Sequence, residues 1–395
     1  MLTYEVGSLL KPKWRVESYT QDFVSDVSFA EAMEWGERLG IDNYEDLVKT
    51  LNAPSSPERN EEVLEWSIIY ALRLLENSGL DYVYSGEMGR REMYEHLARG
   101  FPCFSFFDSE IQSLDYAYYN KGAIIEKPVY QNPIYLTEFQ LTKKHARKPL
   151  KVPVTGPYTT IAWSFNDFYE RNHRKKITDW KSVDFNKLKM EARGEALLDF
   201  VKIYRKEIDT LICNGADWIQ IDEPAITTYP QREEMEFFTE AINQLTRGFP
   251  AKFSLHNCFS DYKVLAEYSP QLKDVDELSL EFANRDTLKL GVDESSRPAY
   301  EDLKFFEEYG YQGKFGLGVI HVHDYDGNSD DGAEVRDHTV VESPELVRDR
   351  ILYASKIVGI DRINPATDCG LRRKPWYIVQ KKLSSLEAGR NLVIS

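Results

Sequence analysis

The sequence is poor in several features that would mark particular classes of protein. It has only four cysteines in 395 residues, and Cys103, Cys213, Cys258 and Cys369 are too scattered for a small disulfide-stapled fold. No run approaches the roughly 18 consecutive apolar residues of a membrane-spanning helix. The N-terminus lacks the positive segment and apolar run of a signal peptide. We therefore expect a cytoplasmic protein with reduced thiols and no membrane partner.

Positive charge is also in deficit. Lys and Arg number 49 against 65 Asp and Glu, so the formal net charge is −16. A surface of that sign repels phosphate backbones unless a basic patch overrides it, and we expect no nucleic-acid partner. What the chain does have is apolar material: 42% of its residues are hydrophobic and 13% are aromatic. This composition indicates a folded globular enzyme rather than a disordered chain.

Short apolar runs bounded by turn residues alternate with helical patterns along the chain. The runs predicted as strands are residues 3–8, 81–86, 152–156, 217–221, 252–255, 277–281, 315–320 and 362–365. Such alternation predicts a parallel sheet, and eight strands are the number that closes a (β/α)₈ barrel. The glycine-rich turn of an open doubly wound sheet is missing. We predict an α/β fold, a single (β/α)₈ TIM barrel formed as one domain by residues 1–395, with insertions at about 100–150 and 324–342.

Polar residues follow nearly all of the predicted strands, at the end where barrel enzymes build their active sites. In chain order they are Gly7-Ser8, Gly86-Glu87, Thr155-Gly156-Pro157, Asp222-Glu223, His256 with Cys258, Glu281, His321 with His323, and Asp368-Cys369. Within this set His256, Cys258, Glu281 and Cys369 combine an imidazole, a carboxylate and two thiolates, which suits a tetrahedral Zn²⁺ site. The H-x-C fragment by itself leaves a merely structural, buried Cys258 equally open.

Several longer segments have a specific pattern in common with one family. They are Val6-Gly-Ser8, Ser85–Met93, Thr155-Gly-Pro157 through Phe165, Ile219–Ala225, His256-Asn-Cys258, Glu281, Gly316–His323 and Asn364–Lys374. In these segments the chain resembles the catalytic barrel of the cobalamin-independent methionine synthases, and more closely the short single-barrel members of that superfamily. The resemblance runs over essentially the whole chain. It implies a zinc-dependent methyltransferase that converts L-homocysteine to L-methionine.

The resemblance also implies roles for individual residues. The implied zinc ligands are His256, Cys258, Glu281 and Cys369. The residues implied to hold the amino-acid end of homocysteine are Val6, Gly7, Ser8, Glu87 and Asp222. His323 is implied to donate a proton to the departing methyl carrier, and Trp163 to lie against the methyl donor.

Other interpretations of these residues stay open. Asp222 could turn the chain and cap a helix, and Glu87 could pair with Arg90 or Arg91. Trp163 could be a core aromatic at the barrel mouth. His96, His145, His173 and His338 are expected at the surface, and His321 either behind the ligands of the site or in the core. Cys103 and Cys213 are expected in apolar surroundings. The acidic segment that contains Asp324, Asp326, Asp330 and Asp331 could bind a partner or a cation, although a solvated loop is the simpler interpretation.

The chain departs from the folate-using members of the family. Those members have a second barrel, for which this chain has no room, and Ile124, Ile125 and Thr228 stand where they carry an Arg-Cys pair and a Glu. The resemblance therefore implies a methylated corrinoid protein as donor rather than methyl-folate. Three alternatives remain: a methyl-folate-dependent homocysteine methyltransferase, a zinc alkyltransferase for another thiol such as coenzyme M, and a non-catalytic zinc-binding subunit of a methyltransferase complex. Glu87 and Asp222 favour an amino-acid substrate, and His323 favours catalysis.

Overall fold

The computed structural model describes residues 1–112, 118–228, 232–258, 261–323 and 340–394. Its strands are β1 (Phe104–Gln112), β2 (Tyr118–Ile124), β3 (Val152–Thr155), β4 (Trp218–Asp222), β5 (Lys252–Asn257), β6 (Glu277–Leu280), β7 (Lys314–Ile320) and β8 (Ile363–Thr367). Strands β3 to β8 form one parallel sheet in chain order, and β1 and β2 pair antiparallel as a separate hairpin.

Helices fill most of the intervals between the parallel strands. They are α1 (Lys13–Thr20), α2 (Asp26–Leu39), α3 (Tyr44–Asn52), α4 (Pro57–Asn77), α5 (Met93–Gly100), α6 (Leu136–His145), α7 (Pro157–Ala162), α8 (Asp167–Arg174), α9 (Phe185–Cys213), α10 (Pro224–Thr228), α11 (Arg232–Thr246), α12 (Lys263–Tyr268), α13 (Leu303–Tyr309), α14 (Pro344–Val358) and α15 (Trp376–Ile394). Ser56 and Ser343 start α4 and α14, because each side chain accepts the backbone N–H three residues later and proline follows. In the part of the chain that is described, none of the helices combines the length and apolar character needed to cross a bilayer.

The sheet closes into a barrel through isolated parallel bridges. Tyr4 bridges both Tyr82 and Ala366 of β8, and Val83 bridges Leu150, just before β3. The predicted TIM barrel is confirmed in this way. The expectation of continuous strands at 3–8 and 81–86 is wrong, since both segments contribute single bridges to the ring.

Side chains explain why the first segment forms no continuous ladder. The backbone N–H of Leu2 donates to the side chain of Asn364, that of Thr3 to Asp81, and that of Val6 to Thr367, at 2.9 to 3.2 Å. These donors are therefore satisfied without a neighbouring strand. The segment is held in the barrel wall by side-chain hydrogen bonds between residues far apart in sequence.

The insertion predicted at about 100–150 contains the hairpin of β1 and β2 and helix α6. The hairpin packs on the rest of the structure through aromatic side chains, including Tyr119, whose ring is stacked on that of Trp163. Most of the other predicted insertion, residues 324–339 with the acidic segment, lies outside the described residues.

A buried polar network occupies the barrel interior. Tyr4 donates from Oη to Glu277 at 2.6 Å, and Asn364 donates to the other carboxylate oxygen at 2.6 Å. Lys151 Nζ lies 3.5 Å from the ring centre of Tyr4 and donates to Gln220 Oε1. The network joins segments that are not adjacent in the barrel wall, such as the one with Tyr4 and strand β6 with Glu277, so it crosses the interior of the ring.

Candidate active site

Three of the four predicted metal ligands lie together at one end of the barrel. His256 is on β5, Cys258 follows this strand, and Cys369 follows β8. One potential ligand atom of each residue lies within 4.8 Å of those of the other two. The carboxyl ends of parallel strands meet at one rim, which explains how residues more than a hundred positions apart converge.

The imidazole of His256 is prepared to act as a ligand. Its Nδ1 lies 3.1 Å from the carbonyl oxygen of Ser279, to which a protonated Nδ1 donates. Its Nε2 is buried and has no hydrogen-bond partner among the described residues. Burial, aided by the charge of Lys151, lowers the pKa of His256 to about 3, so the ring is neutral. A neutral imidazole with one free lone pair beside two thiols fits a thiophilic ion such as Zn²⁺.

Glu281, the fourth predicted ligand, is not a member of this three-residue group. Its Oε2 lies 3.1 Å from Nε2 of His323, and its Oε1 accepts from Asn284 at 3.1 Å. The structure therefore brings Glu281 together with His323, the predicted proton donor. Both side chains are largely buried.

Asp368 holds the turn that follows Glu281. Its carboxylate accepts the backbone N–H groups of Phe282, Ala283 and Asn284 at 2.7 to 3.0 Å. A Cβ at Gly318 would lie 2.1 Å from this carboxylate, so only glycine leaves room for it. The sequence indicated that Asp368 lies on the rim, but it gave no sign of this bracing contact.

The five residues predicted to hold an amino acid are also neighbours. Leu9 N donates to Gly86 O at 3.0 Å, which brings the segment Val6-Gly7-Ser8 against the turn that carries Glu87. A Cβ at Gly7 would lie 3.0 Å from Glu87 Oε1, and one at Gly370 would lie 2.1 Å from Ser8 Oγ. The segment therefore runs between Glu87 and the residue after Cys369.

Asp222 joins this group through an internal side chain. Nε2 of Gln220 donates both to the carbonyl oxygen of Val6, at 2.8 Å, and to Asp222 Oδ1, at 2.7 Å. In the register of β4 and β5, Asp222 lies opposite His256. Asp222, Glu87 and the segment Val6-Gly7-Ser8 form what we call the carboxylate pocket. This pocket adjoins the His/Cys/Cys group.

The backbone at Glu87 adopts an uncommon conformation. Gly86 and Glu87 are both left-handed, with φ of 64° and 57°, and for Glu87 this conformation is costly. Glu87 Oε1 accepts from Arg90 Nη1 at 3.1 Å, so the ion pair considered from the sequence is present. Buried Arg90 also donates to Glu138 and to the carbonyl of Pro153. The turn is thereby fixed, and its carboxylate faces Gly7.

The carboxyl group of Asp222 resists ionisation in its buried position near Glu87. Burial raises the pKa of Asp222 to about 8, and the negative charge of Glu87 adds to the rise. A cation placed between these groups would relieve the repulsion. The pocket is therefore suited to a positively charged group such as an α-ammonium.

The environments of the remaining predicted residues differ. Half-buried Trp163 stacks on Tyr119, with ring centres 5.4 Å apart and an interplanar angle of 21°. The backbone of His321 is held by Glu342 and Lys382. Cys103 is buried, as expected.

Two expectations about peripheral residues are wrong. Cys213 is exposed, because it ends α9 on the outside of the barrel. His96 is half-buried rather than exposed: its ring lies 5.7 Å from that of Tyr135, and burial lowers its pKa to about 4. His338 and the four aspartates of the acidic segment lie outside the described residues.

Known proteins support the same fold and family. The solved B12-independent methionine synthase of Shewanella sp. W3-18-1, in complex with selenomethionine, has a TM-score of 0.69 at 20% identity, and the likeness covers 100% of this chain and 97% of that one. The structure named as a putative vitamin-B12-independent methionine synthase from Listeria monocytogenes has a TM-score of 0.61 at 15% identity, covering 99% and 98%. These likenesses show the fold.

Sequence comparison reaches further. The chain is 35% identical to a methionine synthase of Thermoplasma volcanium over 354 residues, which cover 85% of the chain and 91% of that relative. It is 32% identical to the methionine synthase of Thermococcus kodakarensis over 389 residues, covering 98% and 92%. The model of the family "Cobalamin-independent synthase, Catalytic domain" matches residues 44–388. The chain therefore belongs to the family of cobalamin-independent synthase catalytic domains.

Proposed function

We propose that this chain transfers a methyl group to the sulfur of L-homocysteine and releases L-methionine, acting as one barrel domain. The observation that carries the proposal is the proximity of two sites: a His/Cys/Cys group suited to a thiophilic metal and a carboxylate pocket suited to an ammonium. A substrate that carries a thiol and an α-ammonium matches both. The names of the relatives, methionine synthases, support the same reaction.

The residues proposed to hold Zn²⁺ are His256, Cys258 and Cys369, with Glu281 as the fourth ligand. The chemistry that bound Zn²⁺ would supply is the removal of the thiol proton at neutral pH. In the transfer itself the carbon–sulfur bond forms, the bond between methyl and donor breaks, and the electron pair of that bond leaves with the donor.

The carboxylate pocket is proposed to bind the amino-acid end of the substrate. Asp222, Glu87 and the carbonyl oxygen of Val6 would accept the hydrogen bonds of the α-ammonium group. The substrate carboxylate would lie against the backbone of Gly7 and the hydroxyl of Ser8. Glu87 already has Arg90 as a cationic partner, so substrates without an α-ammonium would leave the buried carboxyl group of Asp222 without the cation that offsets its burial.

Methionine binding is expected to strengthen as pH rises from 6 to 8. In the free protein the raised pKa of Asp222, about 8, keeps most of this carboxyl protonated below pH 8, and it must lose its proton to accept an ammonium. Below about pH 8 the Kd should therefore fall roughly tenfold per pH unit, with about one proton released per methionine. Calorimetry in buffers of different ionisation enthalpy measures both quantities, and methionine avoids titration of a substrate thiol.

The Asp222→Asn variant is the control for this pH dependence. It has no titrating group at this position, so its Kd should vary little between pH 6 and 8. An equally steep dependence in this variant would assign the proton to another group. A flat profile in the wild type would contradict the proposed ionisation of Asp222 on binding.

The effect of His323→Gln on turnover should depend on which methyl donor is supplied. A folate nitrogen leaves as a poor anion unless it is protonated, whereas the cobalt of a corrinoid keeps the electron pair and needs no proton. For His323→Gln we therefore expect kcat with methyl-folate to fall about 100-fold, and kcat with methylcobalamin to stay within about threefold. Steady-state assays of methionine with each donor measure both values. The matched control is His145→Gln, since His145 pairs with Glu65 away from the rim. Unchanged turnover of methyl-folate in His323→Gln would show that His323 is not the proton donor.

The central experiment supplies zinc-loaded protein with homocysteine and, in parallel, methylcobalamin or methyl-folate, and measures methionine. We propose a methylated corrinoid protein as the natural donor and expect faster methionine formation from methylcobalamin. The departures from the folate-using members at Ile124, Ile125 and Thr228 support this choice. Faster transfer from methyl-folate would reverse the assignment of the donor. Tight zinc binding with methionine from neither donor would favour the non-catalytic subunit, and turnover only with another thiol would favour a different acceptor.

A further inference from the structure

Gln220 is buried in the barrel interior, just before the end of β4. Its amide nitrogen donates to the carbonyl oxygen of Val6 at 2.8 Å and to Asp222 Oδ1 at 2.7 Å. Its amide oxygen accepts from Lys151 Nζ. Both polar atoms of this amide therefore have identified hydrogen-bond partners.

The partners of Gln220 dictate which way its amide points. An ammonium group can only donate, so Lys151 requires the amide oxygen on its side. The carbonyl of Val6 can only accept, so it requires the nitrogen on the other side. If the amide were reversed, its oxygen would face the carbonyl oxygen of Val6 and its nitrogen would face the ammonium of Lys151, and neither pair could form a hydrogen bond. The observed orientation satisfies both partners.

Lys151 is in turn held in place by two aromatic rings and a carboxylate. Its Nζ lies 3.5 Å from the ring centre of Tyr4 and 5.3 Å from that of Trp218, which stabilises the ammonium by cation–π contact. Glu277 lies 4.0 Å away and is fixed by its hydrogen bonds with Tyr4 and Asn364. Lys151 therefore has little freedom to leave Gln220.

We propose that Gln220 is a positioning residue for substrate recognition: it sets the separation of the Val6 carbonyl and the Asp222 carboxylate so that both accept hydrogen bonds from one α-ammonium group, and Lys151 locks its amide in place. The inference rests on the proposed function, because it takes these two oxygens as the ammonium ligands. It adds that selectivity for an amino acid depends on a residue that does not itself contact the substrate.

The test compares binding of methionine with binding of its des-amino analogue, 4-(methylthio)butanoate. In Gln220→Glu the size of the side chain and the acceptor for Lys151 are kept, but an oxygen replaces the amide nitrogen that faces Val6 and Asp222. We expect the Kd of methionine to rise at least about tenfold while that of the analogue changes less than about threefold. The KM for homocysteine should rise with little change in kcat or zinc content.

The comparison of the two ligands distinguishes a positioning role from general damage to the fold, because a loosened fold would weaken the binding of both ligands equally. Gln220→Met, which also lacks the amide donors and carries no charge, should give the same selective loss if Gln220→Glu folds poorly. Gln140→Glu, at an exposed glutamine of α6, is the matched control and should behave as the wild type. Equal losses for the two ligands, or no loss in either variant, would overturn the role of Gln220. A wild-type protein that neither binds methionine nor forms it would instead overturn the proposed function, and this inference with it.

Discussion

Replacement of Cys369 by serine is expected to remove metal binding and methyl transfer while the barrel stays folded. Cys369 supplies one of only two thiolates in the group with His256 and Cys258, and a serine hydroxyl stays protonated at neutral pH. Altering a partner of a metal ligand already costs about 10- to 100-fold in affinity or activity, so losing the ligand itself should cost more than about 100-fold. Cys369 is half-exposed on the rim and contributes little to the core.

Metal content by mass spectrometry, turnover by methionine assay and thermal unfolding measure the three parts of this prediction. The control is Cys213→Ser: Cys213 is an exposed thiol at the end of α9, 4.0 Å from Asp209, and its loss should change none of the three. Global unfolding of Cys369→Ser would make the metal a structural element. Full zinc content and activity in that variant would place the metal elsewhere.

Asparagine in place of Asp222 is expected to raise the KM for homocysteine by roughly 300-fold with a much smaller effect on kcat. The substitution keeps the shape and the acceptor for Gln220, but it removes the charge that a buried ammonium group needs. Truncation of one partner of a buried charge pair costs about 2 to 5 kcal/mol, and about 3.5 kcal/mol corresponds to the stated change. The effect falls on KM because the ammonium is equally charged before and during methyl transfer.

Initial rates over a range of homocysteine concentrations separate KM from kcat. Asp217→Asn is the matched control, since Asp217 precedes the same strand, β4, at the opposite end of the barrel and is exposed. A fall in kcat at unchanged KM would assign Asp222 to the chemical step rather than to binding. An unchanged KM and kcat would remove it from the site.

Much of the barrel could be predicted because its signal is local. The apolar runs of β3 to β8 stand out between turn residues, and their carboxyl ends must share one rim once the sheet is parallel. The sequence therefore predicts that His256, Cys258 and Cys369 lie near one another. The two segments at 3–8 and 81–86 were harder, because their hydrogen bonds go to side chains such as Asn364 and Thr367 that no local pattern connects to them.

Several contacts at the site cannot be predicted for the same reason: they join residues that no local sequence pattern connects. Gln220 interrupts an apolar strand two residues before Asp222, which places both on one face, and this was the signal available for it. No residue near Asp368 in the sequence indicates that its carboxylate binds the turn at 282–284. His96 was misjudged because Tyr135, which packs against it, lies 39 positions further on.

The barrel wall near residue 4 has a consequence for how the molecule is made. The segment that closes the ring through Tyr4 also carries Val6, Gly7 and Ser8, and its partners in β8 follow it by about 360 residues. During translation the segment near Tyr4 is therefore made well before its partners in β8, and this part of the pocket must wait for that strand. Contacts this distant form late, because the chain must first close a long loop. A nascent or truncated chain that has built most of its barrel would still lack the proposed amino-acid pocket.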